Sequence, residues 1–304
     1  MITAVLWALC LALIGGDAFA APPDNLRKAL DEIGQQFDRQ TIGATVALYK
    51  PLHTSAVPDL ADQSYGADAR HRLDVFRGPP GAPIVVFAHG GGFVRGDKSD
   101  VAHIGRWLAD QGMTAITWNY RLAPDAVWPS GIEDQQAVLD WIAANPDLHR
   151  SDRYRIVLMG NSAGSAHVAD WVFDPNRAHD FGVIGAALLS PPALDLTDHP
   201  LDPARDALYF PSDQLQSASA MAHLAVSDMP IFLGIGEYDL PLVERQSAAL
   251  ITQMMEVRGH PPIIATAMGH NHISLVEHLG TQDHSFGDDL IDFVTVTAKR
   301  RLNP

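Results

Sequence analysis

A chain of 304 residues with 47% apolar side chains can bury the core of one large domain or of two ordinary ones. The formal charge of −15, from 21 Lys and Arg against 36 Asp and Glu, argues against a nucleic-acid partner and against anionic membranes. The single cysteine, Cys10, falls in the N-terminal segment, so a processed chain would have no disulfide and no thiolate chemistry.

The first 20 residues resemble a secretory signal peptide. An apolar run from Ala4 to Ile14 is followed by the small-residue pattern Ala18-Phe19-Ala20, which predicts cleavage after Ala20. No Lys or Arg precedes the run, so a misplaced start codon or an anchoring helix stays open as an alternative. The run is too short for a comfortable membrane span. We therefore expect a secreted or periplasmic protein without stable membrane association after processing.

Apolar runs then alternate with helix-like stretches along most of the chain. A first helix is predicted from Asp24, with an apolar stripe that continues to Phe37, and it is expected to cover a substrate cleft or to pack on the core. Short apolar strands are predicted at 72–76, 84–88, 114–118, 154–159, 183–189, 231–235 and 263–267. Further helices are predicted around 101–108, 132–143 and 288–299.

This alternation predicts an α/β fold in which a mostly parallel sheet is flanked by helices. Ligands of such folds bind in a crevice at the carboxyl ends of the strands. No linker, charge block or internal repeat divides the chain, so residues 21–304 are predicted to form one domain. Residues 22–40 and 191–229 are expected to supply a small cap.

The segment from Gly160 to Gly164 has the form G-x-S-x-G and follows a predicted strand directly. A serine at such a turn is a candidate nucleophile, and the two glycines let the neighbouring strand and helix approach each other. The isolated pattern is equally compatible with an ordinary turn. Its context favours the nucleophile, because Ser162, Asp239 and His272 occur in the chain order of an α/β-hydrolase and each follows a predicted strand.

Several ordered motifs together resemble those of α/β-hydrolase fold carboxylesterases, of the hormone-sensitive-lipase-like and feruloyl-esterase-like kind. The similarity covers about residues 64–304. The matching segments are 89–93, 96–98, 120–124, 160–164, 236–239 and 270–272. The resemblance implies a serine hydrolase that cleaves carboxylic esters through an acyl-enzyme intermediate, with no cofactor and no metal.

By this resemblance Ser162 is the nucleophile, His272 the general base and Asp239 the acid that orients the base. Glu237 is the alternative acid. His270 competes with His272 for the role of base, and His272 is preferred because the family's catalytic histidine precedes an apolar residue. Zinc binding by the two histidines is disfavoured, since no third strong ligand lies nearby in the sequence.

The resemblance also assigns an oxyanion hole, formed by the backbone N–H groups of Gly91, Gly92 and Ala163. Such donors stabilise the negative charge that develops on the carbonyl oxygen during attack. His89 and the segment 120–124 are interpreted as scaffold around this site.

The substrate class is narrowed by a feature that the sequence lacks. Residues 191–229 contain no long amphipathic lid that would dock onto a lipid surface, so small soluble acyl or aryl esters are favoured. Trp128 and Tyr209 are either pocket walls or core residues. Two other hypotheses stay open: a small-amide hydrolase of the arylformamidase type or a peptidase, and a non-catalytic binding module. No motif assigns the oligomeric state.

Overall fold

A computed structural model describes residues 22–148, 155–176 and 181–300. The predicted leader, with Cys10, lies outside the described residues. The central element is an eight-stranded sheet. Its strands are β1 (Leu60–Ser64), β2 (Arg72–Phe76), β3 (Ile84–Ala88), β4 (Thr114–Trp118), β5 (Ile156–Asn161), β6 (Val183–Leu189), β7 (Ile231–Tyr238) and β8 (Ile263–Asn271).

The strand order is β1-β2-β4-β3-β5-β6-β7-β8. β2 pairs antiparallel with both β1 and β4, and the other neighbouring strands are parallel. The parallel strands therefore end at one edge of the sheet, where a site can form. The predicted α/β architecture with a mostly parallel sheet is confirmed.

Helices connect the strands and cover both faces of the sheet. They are α1 (Asp24–Ile33), α2 (Arg39–Tyr49), α3 (Ala102–Asp110), α4 (Ser130–Ala144), α5 (Ala163–Phe173), α6 (Asp206–Tyr209), α7 (Leu215–Ala218), α8 (Pro241–Arg258), α9 (Ser274–Glu277) and α10 (Gly287–Arg300). The described helices include none that is both long enough and apolar enough to span a bilayer.

Two hydrophobic cores lie on the two faces of the sheet. Ile84 and Val86 of β3 belong to the core that α4, α5 and α8 cover. Val85 and Phe87 of the same strand belong to the core that α3 and α10 cover. Because successive side chains of a strand point to opposite faces, one apolar run supplies both cores.

Four predicted strands have the predicted bounds, namely β2, β3, β4 and β6. β7 and β8 extend beyond the predicted ends, to Tyr238 and Asn271, because their pairing continues past an irregularity after Gly236. The predicted start of β5 at residue 154 lies outside the described residues, and the described strand runs to Asn161. The prediction missed β1, which is largely exposed, and α2, which buries only Thr45 and Tyr49. It also missed α8, a helix of 18 residues between β7 and β8.

Two segments lie over the carboxyl ends of the strands, and we call them the covering segments. The first comprises residues 22–56, in which α1 contacts β8 and α2 contacts α9. The second comprises residues 191–229, where Tyr209 and Phe210 pack on Phe93 of the glycine-rich loop. These segments include residues 22–40 and 191–229, for which the role of a cap stays a prediction.

Candidate active site

Ser162 lies at a sharp turn between β5 and α5. Its backbone has φ +52° and ψ −125°, a conformation that costs free energy for any residue other than glycine. A Cβ atom on Gly160 would overlap the carbonyl oxygen of Gly164, and a Cβ on Gly164 would overlap that of Ala88. The two glycines therefore allow the close approach of strand and helix that holds the serine in this conformation.

Ser162, His272 and Asp239 form a continuous hydrogen-bonded chain. The distance between His272 Nε2 and Ser162 Oγ is 2.9 Å, and His272 Nδ1 lies 2.8 Å from Asp239 Oδ1. His272 and Asp239 are both buried. The three residues follow β5, β8 and β7, so the parallel sheet brings together side chains that are far apart in the sequence.

The Asp239 carboxylate has several hydrogen-bond donors besides His272. Oδ2 accepts from the Ser190 hydroxyl and from the backbone N–H of Gly236, and Oδ1 accepts from the N–H of Leu240. Burial by itself raises the pKa of Asp239, but the charge of His272 and these hydrogen bonds outweigh it, so the pKa lies below its ordinary value. The carboxylate is therefore ionised and can orient His272.

The two alternative residues have other partners. Glu237 is exposed, and its Oε2 accepts a hydrogen bond of 2.7 Å from the N–H of Gly269, which ties the ends of β7 and β8 together. His270 is fully buried, and its ring nitrogens lie 3.1 Å from Ser274 Oγ and 2.6 Å from Ser285 Oγ. Neither contacts Ser162, so the geometry favours Asp239 as acid and His272 as base.

The residues predicted to form the oxyanion hole lie around Ser162. Gly91 and Gly92 line the same cleft as Ser162, and their φ values of 137° and 59° are readily adopted only by glycine. Ala163 is the first residue of α5. Its N–H is one of the helix N-terminal donors without an intrahelical partner, and the helix dipole there favours negative charge.

His89 supports the glycine-rich loop. Its Nδ1 lies 2.6 Å from the carbonyl oxygen of Gly90, and its ring stacks on Tyr120 at 4.3 Å between centroids. Burial lowers the pKa of His89 to about 4, so the ring is neutral at physiological pH. This arrangement agrees with the interpretation of His89 and Tyr120 as scaffold.

A cleft of about 620 Å³ opens at Ser162 and His272. Phe37, from the first covering segment, packs edge-on against the His272 ring, with 5.1 Å between the centroids. Ile42 and Val46 of α2 supply further apolar wall. Trp128 and Tyr209 are not among the lining residues, and Tyr209 belongs to the core beneath the second covering segment, so they are not pocket walls.

One group of the described residues has the composition of a metal site: His53, His103 and Glu277, whose ligand atoms lie within 4.8 Å of one another. The two imidazole rings stack in parallel at 3.8 Å. Their Nε2 atoms lie 2.7 Å from the carbonyl oxygen of Glu277 and 3.2 Å from that of Val276. A nitrogen that donates its proton to a carbonyl offers no lone pair to a metal, so these contacts favour a hydrogen-bonded wall of the cleft over a metal centre.

Three residues near the site were not predicted from the sequence. Ser190 holds Asp239, Thr45 contacts the side chain of Asn271, and Tyr49 donates to Asp283 in the network around His270. The Asp38 to Thr41 capping box, which begins α2, is the local pattern that would have located this helix. No sequence pattern predicts the contacts of Ser190, Thr45 and Tyr49, because these contacts join distant parts of the chain.

Two family profiles match the chain. A profile described as BD-FAE matches residues 75–177, which include the glycine-rich loop and Ser162. The profile of the prolyl oligopeptidase family matches residues 129–294, more than half of the 304 residues. The chain belongs to the prolyl oligopeptidase family. In this member of the prolyl oligopeptidase family, the matched range contains Ser162, Asp239 and His272.

Curated relatives are esterases and a lipase. Esterase LipC of Mycobacterium tuberculosis is 37% identical over 106 residues, which cover 33% of this chain and 26% of the relative. Mouse hormone-sensitive lipase is 33% identical over 141 residues, 40% of this chain and 19% of the relative. The chain thus spans about a third or less of the length of these relatives. The matches confirm the predicted resemblance to the hormone-sensitive-lipase-like group.

Solved structures of esterases share the fold. Esterase B from Lactobacillus rhamnosis superposes with a TM-score of 0.68 at 21% identity, over 90% of this chain and 97% of that one. A truncated carbohydrate esterase from gut microbiota superposes with a TM-score of 0.67 at 18% identity, over 82% and 98% of the two chains. At such identities the similarity establishes the fold, and it confirms the predicted α/β-hydrolase fold of this prolyl oligopeptidase family member.

Proposed function

We propose that this protein is a serine carboxylesterase that cleaves small soluble esters through an acyl-enzyme intermediate. The observation that supports this most strongly is the hydrogen-bonded chain from Ser162 Oγ through His272 to Asp239, with distances of 2.9 and 2.8 Å. Nucleophile, base and orienting acid in this arrangement are the elements of acyl transfer. The esterase relatives favour esters over amides.

In the first half of the reaction, Ser162 Oγ attacks the carbonyl carbon of the ester. His272 Nε2 takes the hydroxyl proton, and Asp239 stabilises the resulting imidazolium. Negative charge moves onto the carbonyl oxygen, where the N–H groups of Gly91, Gly92 and Ala163 stabilise it. The tetrahedral intermediate then collapses, the C–O bond to the alcohol breaks, and His272 protonates the leaving alkoxide.

In the second half, water attacks the acyl-enzyme. His272 removes a proton from the water, and the same N–H groups stabilise the second tetrahedral intermediate. Collapse releases the carboxylic acid and returns the proton to Ser162 Oγ. One water molecule is consumed for each ester bond cleaved.

The size and walls of the cleft support small substrates. A volume of about 620 Å³ is in the range of drug-sized ligands. Residues 191–229 contain no long amphipathic helix that would dock onto a lipid surface. We also propose that the protein is exported, with residues 1–20 as a signal peptide. The supporting feature is the apolar run that precedes Ala18-Phe19-Ala20.

The experiment that tests this function is hydrolysis of p-nitrophenyl esters from acetate to decanoate, and of methyl ferulate, by the wild type and by Ser162→Ala. We expect the variant to fold and to lose activity by a factor of about 10⁶, because the nucleophile is absent. Ser212→Ala, which removes an exposed hydroxyl of the second covering segment, is the matched control and should keep full activity. Folded wild type that cleaves no ester above the Ser162→Ala background would contradict the proposal.

A p-nitroanilide and a formanilide belong in the same assay. Cleavage of these amides with kcat/KM above that of the esters would replace the carboxylesterase proposal by an amidase. N-terminal sequencing of protein recovered outside the cytoplasm tests the export proposal, which requires a new terminus at Ala21.

A further inference from the structure

The charge of the cleft is opposite to that of the whole chain. The chain carries a formal charge of −15. The cleft is lined by four cationic side chains and two acidic ones, which are Arg39, Lys50, Arg95 and Arg205 against Asp100 and Glu277. A cleft with an excess of one charge concentrates the field of that charge and attracts ligands of the opposite sign.

The three arginines line the same cleft as Ser162. Arg95 follows the glycine-rich loop by three residues, and the aliphatic part of Arg205 packs directly on Gly92. Arg39 begins α2, two residues after Phe37, whose ring contacts His272. The three side chains come from different parts of the fold, namely the glycine-rich loop and the two covering segments.

Two of these arginines have no protein partner for their charge. Within residues 22–148, 155–176 and 181–300, no ion pair engages the guanidinium of Arg39 or of Arg95, and both residues are exposed. Arg205 is held by Asp202, with its Nε and Nη2 at 3.0 and 2.8 Å from the same carboxylate oxygen. The remaining N–H groups of Arg205 stay available to a ligand, since a guanidinium has five.

The two acidic residues of the cleft lie close to each other. Glu277 hydrogen-bonds His53 through its backbone carbonyl, beyond the C-terminus of α2. Lys50 lies close enough to Glu277 and Asp100 for its charge to offset theirs. The three arginines therefore account for the positive excess of the cleft.

We infer that the preferred substrates are esters that carry a carboxylate, which Arg39, Arg95 and Arg205 bind beside the reacting carbonyl. This inference rests on the proposed esterase function and names its substrate class. A guanidinium presents paired N–H donors that match the two oxygens of a carboxylate. Three such groups from three segments line the cleft that contains Ser162, whereas a neutral ester would leave the charges of Arg39 and Arg95 without a partner.

The test compares two pairs of esters that differ in charge. Monomethyl adipate carries a carboxylate on the acyl side, and methyl hexanoate lacks it. 4-Acetoxybenzoate carries a carboxylate on the alcohol side, and phenyl acetate lacks it. We expect the charged ester of at least one pair to have the higher kcat/KM. The pair in which this occurs identifies the side that faces the arginines. The advantage should decrease as salt is added, because ions screen the attraction.

The variants Arg39→Gln, Arg95→Gln and Arg205→Gln test the residues. Each should lower the ratio of kcat/KM for the charged ester to that for the neutral ester by about tenfold, the effect of losing one hydrogen bond to a charged group. Arg77→Gln is the matched control, since Arg77 is exposed and lies outside the cleft. It should leave the ratio unchanged.

Two outcomes would overturn the inference. If both neutral esters are cleaved faster, and the ratio is unaffected by salt and by the triple arginine variant, the arginines do not select the substrate although the esterase function stands. If none of the four esters nor p-nitrophenyl acetate is cleaved above the Ser162→Ala background, the proposed function itself fails, and the inference with it.

Discussion

The strand ends and the covering segments contribute different parts of the site. Asp239 and His272 are buried at the ends of β7 and β8, and Asp239 is held by several hydrogen bonds, two of them from backbone N–H groups. Arg39 and Arg95, which belong to a covering segment and to the glycine-rich loop, are exposed and without an ion-pair partner among the described residues. The proposed reaction therefore depends on buried groups at the end of the sheet, whereas the proposed selection of substrates depends on exposed charged groups.

The two regions are nevertheless joined by buried contacts. The Thr45 hydroxyl lies 3.2 Å from the side-chain nitrogen of Asn271, and the Tyr49 hydroxyl donates to Asp283 at 3.0 Å. The first contact ties α2 to the last residue of β8, directly before His272, and the second ties it to the loop between α9 and α10. The first covering segment therefore contributes to the position of the base as well as to the wall of the cleft.

The largest effect is expected from Asp239→Asn. The amide preserves the shape but cannot stabilise the imidazolium, so kcat for p-nitrophenyl acetate should fall by about 10⁴-fold. Glu237→Gln is the matched control two residues earlier, because its amide oxygen can still accept from the N–H of Gly269. It should retain most of the activity. A greater loss in Glu237→Gln than in Asp239→Asn would reverse the assignment of the acid.

The next largest effect is expected from a pair of glycine substitutions. One lies at the end of the sheet, and the other lies in the first covering segment. A Cβ on Gly164 would overlap the backbone of Ala88 and His89, so Gly164→Ala should lower the free energy of unfolding by about 3 kcal/mol. Gly43 of α2 has open space around it, so Gly43→Ala should raise that energy by about 0.5–1 kcal/mol. Urea denaturation measures both. Equal effects would mean that the turn between β5 and α5 is not more tightly packed than α2.

A pH effect is expected where the first covering segment meets α9. Burial raises the pKa of Glu277 from 4.5 to about 7, with Asp100 adding to the shift. The neutral form thus stabilises the fold below pH 4.5, and this contribution is lost as the pH rises through about 7. Below pH 4.5 the free energy of unfolding of Glu277→Gln should match that of the wild type. Above pH about 7 it should exceed the wild-type value by about 2 kcal/mol.

Thermal unfolding of Glu277→Gln at both pH values measures this difference. Glu256→Gln, which alters an exposed glutamate of α8, is the control and should follow the wild type at each pH. A Glu277→Gln variant whose stability parallels that of the wild type throughout would show that the carboxyl is not buried under the covering segment.

The smallest effect is expected from Tyr49→Phe. Loss of the hydrogen bond to the buried Asp283 should lower the free energy of unfolding by about 1 kcal/mol and reduce kcat modestly, since His272 loses part of its support. Tyr238→Phe removes an exposed hydrogen bond of 2.9 Å to Asp31 and serves as the control, with an effect below about 0.5 kcal/mol. If both variants behave alike, the buried Tyr49 hydroxyl contributes no more than the exposed Tyr238 hydroxyl. That result would contradict the coupling between α2 and His272.

Prediction from the sequence succeeded where local pattern and burial coincide. β3, β4 and β6 are short apolar runs buried on both faces, so their composition alone marks them and their bounds. It failed for β1 and α2, because a largely exposed strand and a short helix with two buried residues lack a strong hydrophobic period. The ends of β7 and β8 were placed too early for a related reason: cross-strand pairing, rather than composition, carries them to Tyr238 and Asn271.

The sequence by itself located seven of the eight strands, the glycine-flanked Ser162 and the candidates for acid and base, because backbone geometry and apolar periodicity are local properties. From the sequence, resemblance to the family prefers His272 to His270 and Asp239 to Glu237, and the geometry of the tertiary structure favours the same choice. Residues two apart on a strand carry the same chemistry, and the distances to Ser162 and Ser190 distinguish them. The tertiary structure alone also gathered three arginines around the cleft, since charge concentrates only where distant segments meet.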